Sequence, residues 1–473
     1  MRRRVLRRLF SFLAILAICV AQSTAGDRPR FRGPNGSGIS DSTELPVEFG
    51  PQKNLLWKVK VPFGRSSPIV TGDRVFLTAS EGDNLITMSL ERDTGRIMWR
   101  RKIVRERAAE IYKANDPASP TPVTDGTNVY AFFADLGLVS YGPDGNERWR
   151  VPLGPFHSFY GVANSPILVG DAVIQVVDAR TDPILTAVHA GTGRTLWTVK
   201  RPTTVEGFST PVVHTPEGGT PEILVLGSHR LDAYSAENGK TLWWAGGLGY
   251  LPKGVPVVGR GFVVVSTSGS EQPHSPPYSE ALQKVDANHD GRVSREEVPP
   301  DALLYVHFGY VDVNTDGFVD EGEFNFMRMA GVGGYGFAAV SLGGGDRQTE
   351  RKILWRYKKT YPNIPSPILY RDILYGVKNG GIIVAMDPTT GEVLKIGRTK
   401  EAVENYSSSP VAADGKIVMV SESGKVTVLK AGRDWEVLAV NDLGEESWAT
   451  PAIASGNLYI RTWNSLYCFR KMN

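Results

Sequence analysis

A proline-headed element recurs eight times along the chain, and a repeat of this kind restricts the fold more than any other feature. It reads RSSPIV, SPTPV, NSPILV, FSTPVV, KGVPVV, IPSPIL, SSSPVA and WATPAI, with prolines at Pro68, Pro122, Pro166, Pro211, Pro256, Pro367, Pro410 and Pro451. The spacings are 54, 44, 45, 45, 111, 43 and 41 residues. Six of them lie near the length of one propeller blade of four strands. The interval of 111 is one repeat plus roughly 65 further residues. Each unit then carries short runs rich in Val, Ile, Leu and Tyr, such as RVFLTAS and LITMSL in the first and ILYGV and GIIVAMD in the sixth. Broken by Gly and Asp, such runs read as antiparallel strands. A Pro that opens a strand removes no ladder hydrogen bond.

The repeat ending is more specific. Ser89 to Trp99, Ala187 to Trp197, Ala233 to Trp243 and Ala385 to Lys395 share a loosely kept frame, A-x-D-x-x-T-G-x-x-x-W. Trp149 and Trp355 fit the same position in degraded copies. The Thr-Gly or Asn-Gly pair makes a tight turn in which Gly supplies a positive φ. The Trp on the next strand can pack across a neighbouring blade and bury a large ring. These endings resemble the tryptophan-docking motif of the pyrroloquinoline-quinone-like propellers, a family that includes quinoprotein alcohol dehydrogenases and BamB-like assembly subunits. The resemblance covers residues 54–470 apart from the long interval. It implies an all-β, eight-bladed β-propeller of four-stranded antiparallel blades. The opening DRPRFRGPNGSG is similar to the lead-in of secreted members, where Trp is expected in place of Arg28.

The count of eight has a consequence. The last repeat has inner strands NLYIRTW and SLYCF but no fourth strand. Asn54 to Val61 is an orphan strand before the first repeat, with Trp57 in the docking position. Pairing the two would close the ring and remove its open edges. The expected organisation is therefore a signal peptide at 1–25, a lead-in arm at 26–53, a first propeller part at 54–270, an insert at 271–333 and a second propeller part at 334–473.

The insert sits in blade five and carries two twelve-residue loops, DANHDGRVSREE and DVNTDGFVDEGE. Both match the EF-hand pattern, and a small α-helical EF-hand pair is expected here. A hard Ca²⁺ ion needs six to eight oxygens aimed inward by a tight loop. Asp286, Asn288 and Asp290 supply side-chain oxygens, Arg292 its carbonyl, Ser294 the ninth position and Glu297 a bidentate carboxylate. The second set is Asp312, Asn314, Asp316, the Phe318 carbonyl, Asp320 and Glu323. Gly291 and Gly317 allow the bend, and Val293 is expected to pair with Val319. Ser279 is the expected cap of EALQKV, ALLYVHF is expected to start at Pro300 or Asp301, and FNFMRMA to end at Gly331. The loops start only 26 residues apart. The linking helices must be short. Two calcium sites are expected, of structural rather than sensor type.

Residues 1–25 read as a leader for export, to a periplasmic or extracellular place. Arg2, Arg3, Arg4, Arg7 and Arg8 precede the short apolar run Leu9 to Val20, and Ser23-Thr24-Ala25 offers a cleavage site. Arg7-Arg8 is a weak twin-Arg feature that leaves Sec and Tat export open. Ile18 before Cys19 makes a poor lipobox, so no lipid anchor is expected. The leader takes five of the 53 basic residues and none of the 50 acids, leaving 48 against 50. The mature chain is near neutral, which removes the electrostatic case for nucleic acid. No later segment is long and apolar enough to span a bilayer. Cys468 is then the only cysteine, so no intramolecular disulfide forms.

Segments preceding the inner strands should gather on one face around the channel. They offer His157, Tyr160, Glu206, Asn405, Tyr406 and Trp448 as candidate ligand-binding residues, with Arg65, Asn164, Phe208, Tyr361, Asn363 and Glu445 nearby. The insert joins the second and third strands of its blade, a connection that emerges on that same face. Enzyme motifs are poor. Gly239-Lys240-Thr241 follows Tyr234 where a P-loop needs Gly, and Gly331, Gly333 and Gly336 follow a helix rather than a strand. Quinone-binding members resemble one another in an adjacent Cys pair, which one cysteine cannot supply, so no quinone cofactor is expected. The expected function is a non-catalytic, calcium-binding, monomeric scaffold whose partner is an envelope protein or glycan. The alternatives are a quinone-dependent oxidoreductase and a glycan-binding or glycan-processing propeller.

Overall fold

The computed structural model describes residues 27–108, 111–112, 115–180, 182–201, 205–282, 285–343 and 349–472. The leader reading over 1–25 lies outside them. Eight sheets follow one another around a ring, each a four-stranded antiparallel meander except where noted below. In blade one the order is Ile69–Thr71, Arg74–Glu81, Asn84–Glu91 and Ile97–Val104. The middle strands are buried on both faces, because each blade packs against a neighbour on either side. That is why their sequences are apolar runs rather than clean alternations. The outermost strands alternate instead, as in Glu147–Pro152.

The frame seen at the repeat ends is the hairpin between the third and fourth strands. Its first and last residues are cross-strand partners: Ser89 faces Trp99, Ala187 faces Trp197, Ala233 faces Trp243 and Ala385 faces Lys395. A small residue there leaves room for the indole. The indole reaches into the next blade, where it covers the turn glycine. A Cβ on Gly145 would lie 2.7 Å from Trp99, one on Gly193 2.9 Å from Trp149, and one on Gly239 2.6 Å from Trp197. The indole nitrogens donate to carbonyls of the same turns, Trp99 to Pro143 and Trp149 to Ala190 at 2.9 Å, and Trp355 to Pro388 at 3.0 Å. Burying one such ring against its turn contributes about 3–5 kcal/mol by the cost of truncation.

Blade five departs from the pattern. Its strands are Val257–Val258, Phe262–Thr267, Gly336–Ser341 and Ile353–Tyr357, with the insert between the second and third. Among the described residues no turn glycine of this blade packs against Trp243. Instead Thr349–Glu350, in the link before the fourth strand, pairs in parallel with Trp243 and Trp244, and the Arg351 guanidinium lies 5.5 Å from the Trp243 ring. The indole of Trp243 donates to Glu222 at 2.9 Å.

Blade eight is built from both ends of the chain. Ala452–Ala454, Asn457–Arg461 and Ser465–Arg470 supply three strands, and Leu55–Lys60 pairs antiparallel with the third. Trp57 sits opposite Cys468 and covers Gly95 of blade one. The segment before this strand lies across the central channel. Arg28 bridges Val70 of blade one, and Gly38 and Ser40 bond Ala412 of blade seven. Between them three buried arginines donate to carbonyls at the inner strands: Arg28 to Ile453, Arg30 to Pro211, and Arg32 to Pro367 and Pro410. An arginine matches backbone oxygens with several fixed donors and stays charged doing so.

Candidate functional site

The insert leaves blade five through two strands of chain zipped at their base. Ser270 N–H donates to Gly331 O at 2.8 Å and Gly333 N–H to Ser270 O at 2.9 Å. Gly334 is needed at this base, since a Cβ there would lie 1.9 Å from Gly247 O. The body contains short helices Tyr278–Ala281, Leu303–Val306 and Phe308–Val311 and one longer helix, Glu321–Ala330. The first is preceded by Pro277 rather than capped by Ser279, and the ALLYVHF segment starts at Leu303 and breaks at His307. Pro299 and Pro300 leave too few residues between the loops for longer helices. Glu321–Ala330 ends at Gly331 as expected, and Asp320 and Glu323 form a reciprocal capping box at its start.

The two twelve-residue loops share one backbone form. Position four has a positive φ in both, His289 at 59° and Thr315 at 61°, and position six is Gly291 at 84° and Gly317 at 87°. Val293 pairs with Val319 between them, and both are fully buried. In the first loop Asp286 Oδ2 accepts the Gly291 N–H at 3.0 Å, while its buried Oδ1 has no partner. Asp290 Oδ1 accepts from Arg292 N–H, and Glu297 accepts from Ala287, Ser294 and, at 3.4 Å, Asn288. Those backbone donors, Ser294 first, hold the Glu297 carboxyl below its ordinary range. In the second loop Asp312, Asp316 and Glu323 place carboxylate oxygens within 4.8 Å of one another. Asn314 accepts from Asp316 N–H, and the Phe318 N–H donates back to Asp316. A buried unpaired oxygen in the first loop and clustered hard oxygens in the second are the kind of donors a divalent cation takes.

Arg180 of blade three fastens the body to the propeller. Arg180 Nη1 donates to Gly309 O at 2.6 Å and to Asp312 O at 2.9 Å, and its Nε donates to Glu206 Oε1 at 3.2 Å. Its guanidinium also lies 4.8 Å from the Tyr310 ring. Those carbonyls end the helix Phe308–Val311, where a cation is favoured. Glu206 accepts the Phe159 N–H as well, and burial pushes its carboxyl above the ordinary range against the pull of Arg180. Around this clamp Tyr310 packs on Phe159 and Tyr160 at 5.9 and 5.5 Å between ring centroids. Ala330 joins Val205 and Leu251 beneath them.

The candidate ligand residues from the sequence thus separate. Tyr160 and Glu206 come together under the insert, Tyr160 with its hydroxyl pushed up to about 12 by burial. His157 is exposed beside them at a cavity wall. Trp448 lies elsewhere, with the Arg65 guanidinium 4.2 Å from its ring. Asn405 is exposed, whereas Tyr406 is fully buried and donates its hydroxyl to Ala402 O at 2.8 Å. Arg180 was not among the candidates. It lies between the second and third strands of blade three, the same class of connection that carries the insert in blade five, and that class was the missed signal. Behind it Arg201 is buried between Asp178 and Asp232 and donates to the Tyr234 hydroxyl at 2.8 Å. This group ties blade three to blade four. No helix among the described residues is long and apolar enough to cross a membrane.

The fold is widespread among solved structures, at low sequence identity. BamB from Moraxella catarrhalis is 13% identical, covering 88% of this chain and 99% of its own, with a TM-score of 0.56. A quinohemoprotein alcohol dehydrogenase from Comamonas testosteroni is 11% identical, covering 96% and 82%, with a TM-score of 0.55. The computationally designed Ika8 protein is 9% identical, covering 88% and 99%, also at 0.55. An assembly factor, a dehydrogenase and a design on one fold carry no shared activity. A comparison with curated proteins finds no match. The family model described as outer membrane protein assembly factor BamB matches residues 50–177, 144–269 and 181–473, which together span every blade. With that match and the docked tryptophans, the chain belongs to the BamB-like family of propellers with pyrroloquinoline-quinone-like repeats.

Proposed function

We propose that this protein is an exported, calcium-loaded and non-catalytic binding scaffold of the cell envelope. One observation carries the reading: the carboxylate oxygens of Asp312, Asp316 and Glu323 converge within 4.8 Å in a body that Arg180 fastens beside the channel. Asp286, Asn288, Asp290, Ser294 and Glu297 with the Arg292 carbonyl would hold one Ca²⁺. Asp312, Asn314, Asp316, Asp320 and Glu323 with the Phe318 carbonyl would hold the other. Bound calcium would join the acids of each loop and so stiffen the surface that meets Arg180. Outside the cell, where calcium is abundant, weak loops of this type stay filled. Export rests on the leader-like residues 1–25, and a binding or assembly role on the family.

The non-catalytic part is supported by the sole cysteine of the exported chain. Cys468 is buried in blade eight opposite Trp57, and among the described residues no second thiol lies beside it. Calorimetry tests the calcium part. Two sites are expected in the wild type and one each in Glu297→Gln and Glu323→Gln. No heat up to several millimolar calcium would overturn it. Adding pyrroloquinoline quinone with calcium is expected to give no absorbance change and no dye-linked alcohol oxidation. Turnover would return the protein to the oxidoreductases.

A further inference from the structure

A cavity of about 740 Å³ opens between the insert and the loops of blades two and three. One wall carries Tyr112, Phe159 and Arg107, and the other, from the insert, carries Arg295, Val306 and Thr315. None of its lining residues lies in a strand, so it offers no sheet edge for an extended peptide to join. The rings of Tyr112 and Phe159 lie 5.5 Å apart at 30°, beside the His307 ring of the insert, so the wall is aromatic. The face of an aromatic ring is negative and attracts the C–H face of a pyranose. Ser158, Thr315 and His157 add donors and acceptors for hydroxyls.

Charge narrows the choice. Arg107 is oriented by donating to the carbonyls of Asp135 and Leu153 at 3.3 and 3.2 Å. Arg295 is exposed, with its guanidinium 4.9 Å from the Tyr305 ring. Among the described residues neither has a carboxylate partner. Among the described lining residues the one acid, Asp135, is buried and already paired with Arg105 at 3.3 Å. The described lining is therefore net positive, and an arginine reads a carboxylate with two parallel hydrogen bonds. The volume lies within the usual range for small-ligand sites and holds about four pyranose rings at most.

We propose that this cavity binds an acidic saccharide, with a pyranose face on Phe159 and Tyr112 and a carboxylate between Arg107 and Arg295. Arg295 stands between Ser294 and Glu297 of the first loop, and Thr315 between Asn314 and Asp316 of the second. The affinity should therefore depend on calcium, a clause that rests on the calcium reading above.

Calorimetry on the mature chain tests this with a hyaluronan tetrasaccharide, neutral chitotetraose and a hexaglutamate peptide. The acidic sugar should bind, and chitotetraose at least tenfold more weakly. Arg295→Gln and Phe159→Ala, each checked by thermal melting, should weaken the acidic sugar about tenfold. Absence of binding, equal binding of chitotetraose, tighter binding of hexaglutamate, or unchanged affinity in Arg295→Gln would each overturn the proposal. The two readings fail separately. Two calcium sites without saccharide heat would sink the cavity alone, whereas saccharide heat without calcium heat would sink the calcium reading alone.

Discussion

Arg180 and Glu206 form an ion pair at 3.2 Å with side chains 4% and 0% exposed, so a buried salt bridge of the propeller is also the anchor of the insert. Removing one partner of such a pair strands the other charge, at about 3–5 kcal/mol. Arg180→Met should lower the melting temperature and speed protease cleavage within 271–333. Adding Glu206→Gln to it should recover part of the stability but none of the protease resistance. Equal cleavage rates in wild type and Arg180→Met would show that the anchor lies elsewhere.

Calcium removal should act first on the insert. A ligand at a hundred times its Kd stabilises the state it binds by about 2.7 kcal/mol. Chelation should therefore lower the unfolding temperature of the 271–333 body while the main propeller transition moves little. Two resolved transitions in calorimetry, with only one calcium-dependent, is the expected outcome. A propeller transition that shifts as much as the insert would contradict it.

Trp57 and Gly95 make a sharper test of ring closure. Gly95 has φ +72°, and a Cβ there would lie 2.6 Å from Trp57. Gly72 has φ +52° with open space around it. Both pay about 1–2 kcal/mol for a left-handed backbone when changed to Ala. Only Gly95→Ala should add about 1–3 kcal/mol of steric conflict. Chemical denaturation of the two variants should show that difference, and equal midpoints would refute the docking role.

Cys468 reports on the same seam. Burial pushes its thiol up to about 12 from an ordinary 9.0. The folded state keeps this proton where the unfolded state loses it, so its contribution to stability is full below pH 9 and declines as pH rises toward 12. At pH 8.5 iodoacetamide should leave Cys468 unlabelled in the native protein and label it in urea. In Trp57→Ala the native protection should fall, because Trp57 is the cross-strand neighbour of Cys468. Rapid native labelling of the wild type, read by mass, would contradict the closed seam.

What the sequence made legible was local and repeated. The hairpin frame was readable because a small residue, a turn glycine and an indole must keep fixed spacing to pair across two strands. The twelve-residue loops were readable because their acids and their bend glycines, Gly291 and Gly317, keep one spacing in both copies. Long-range pairings left no such trace. Arg28 meets Ile453 across 425 residues, and nothing near either position announces the other. Arg180 was passed over because its partners, Glu206 and the Gly309 carbonyl, lie in different blades. Tyr406 was read as a loop residue facing ligand. The Ala402 carbonyl, four residues back, takes its hydroxyl into the core instead.

The seam in blade eight also sets an order of events in time. Leu55 pairs with Phe469, 414 residues later, so this strand waits for most of the propeller before its edge is covered. Contacts so far apart in sequence form slowly. Until the last strand of blade eight is made, the chain must carry an unpaired Leu55–Lys60 edge, and for most of that time an Arg28 whose carbonyl partner, Ile453, does not yet exist. An open edge of this kind invites pairing with a second chain. The hazard ends in one step, when Ser465–Arg470 arrives and the ring locks.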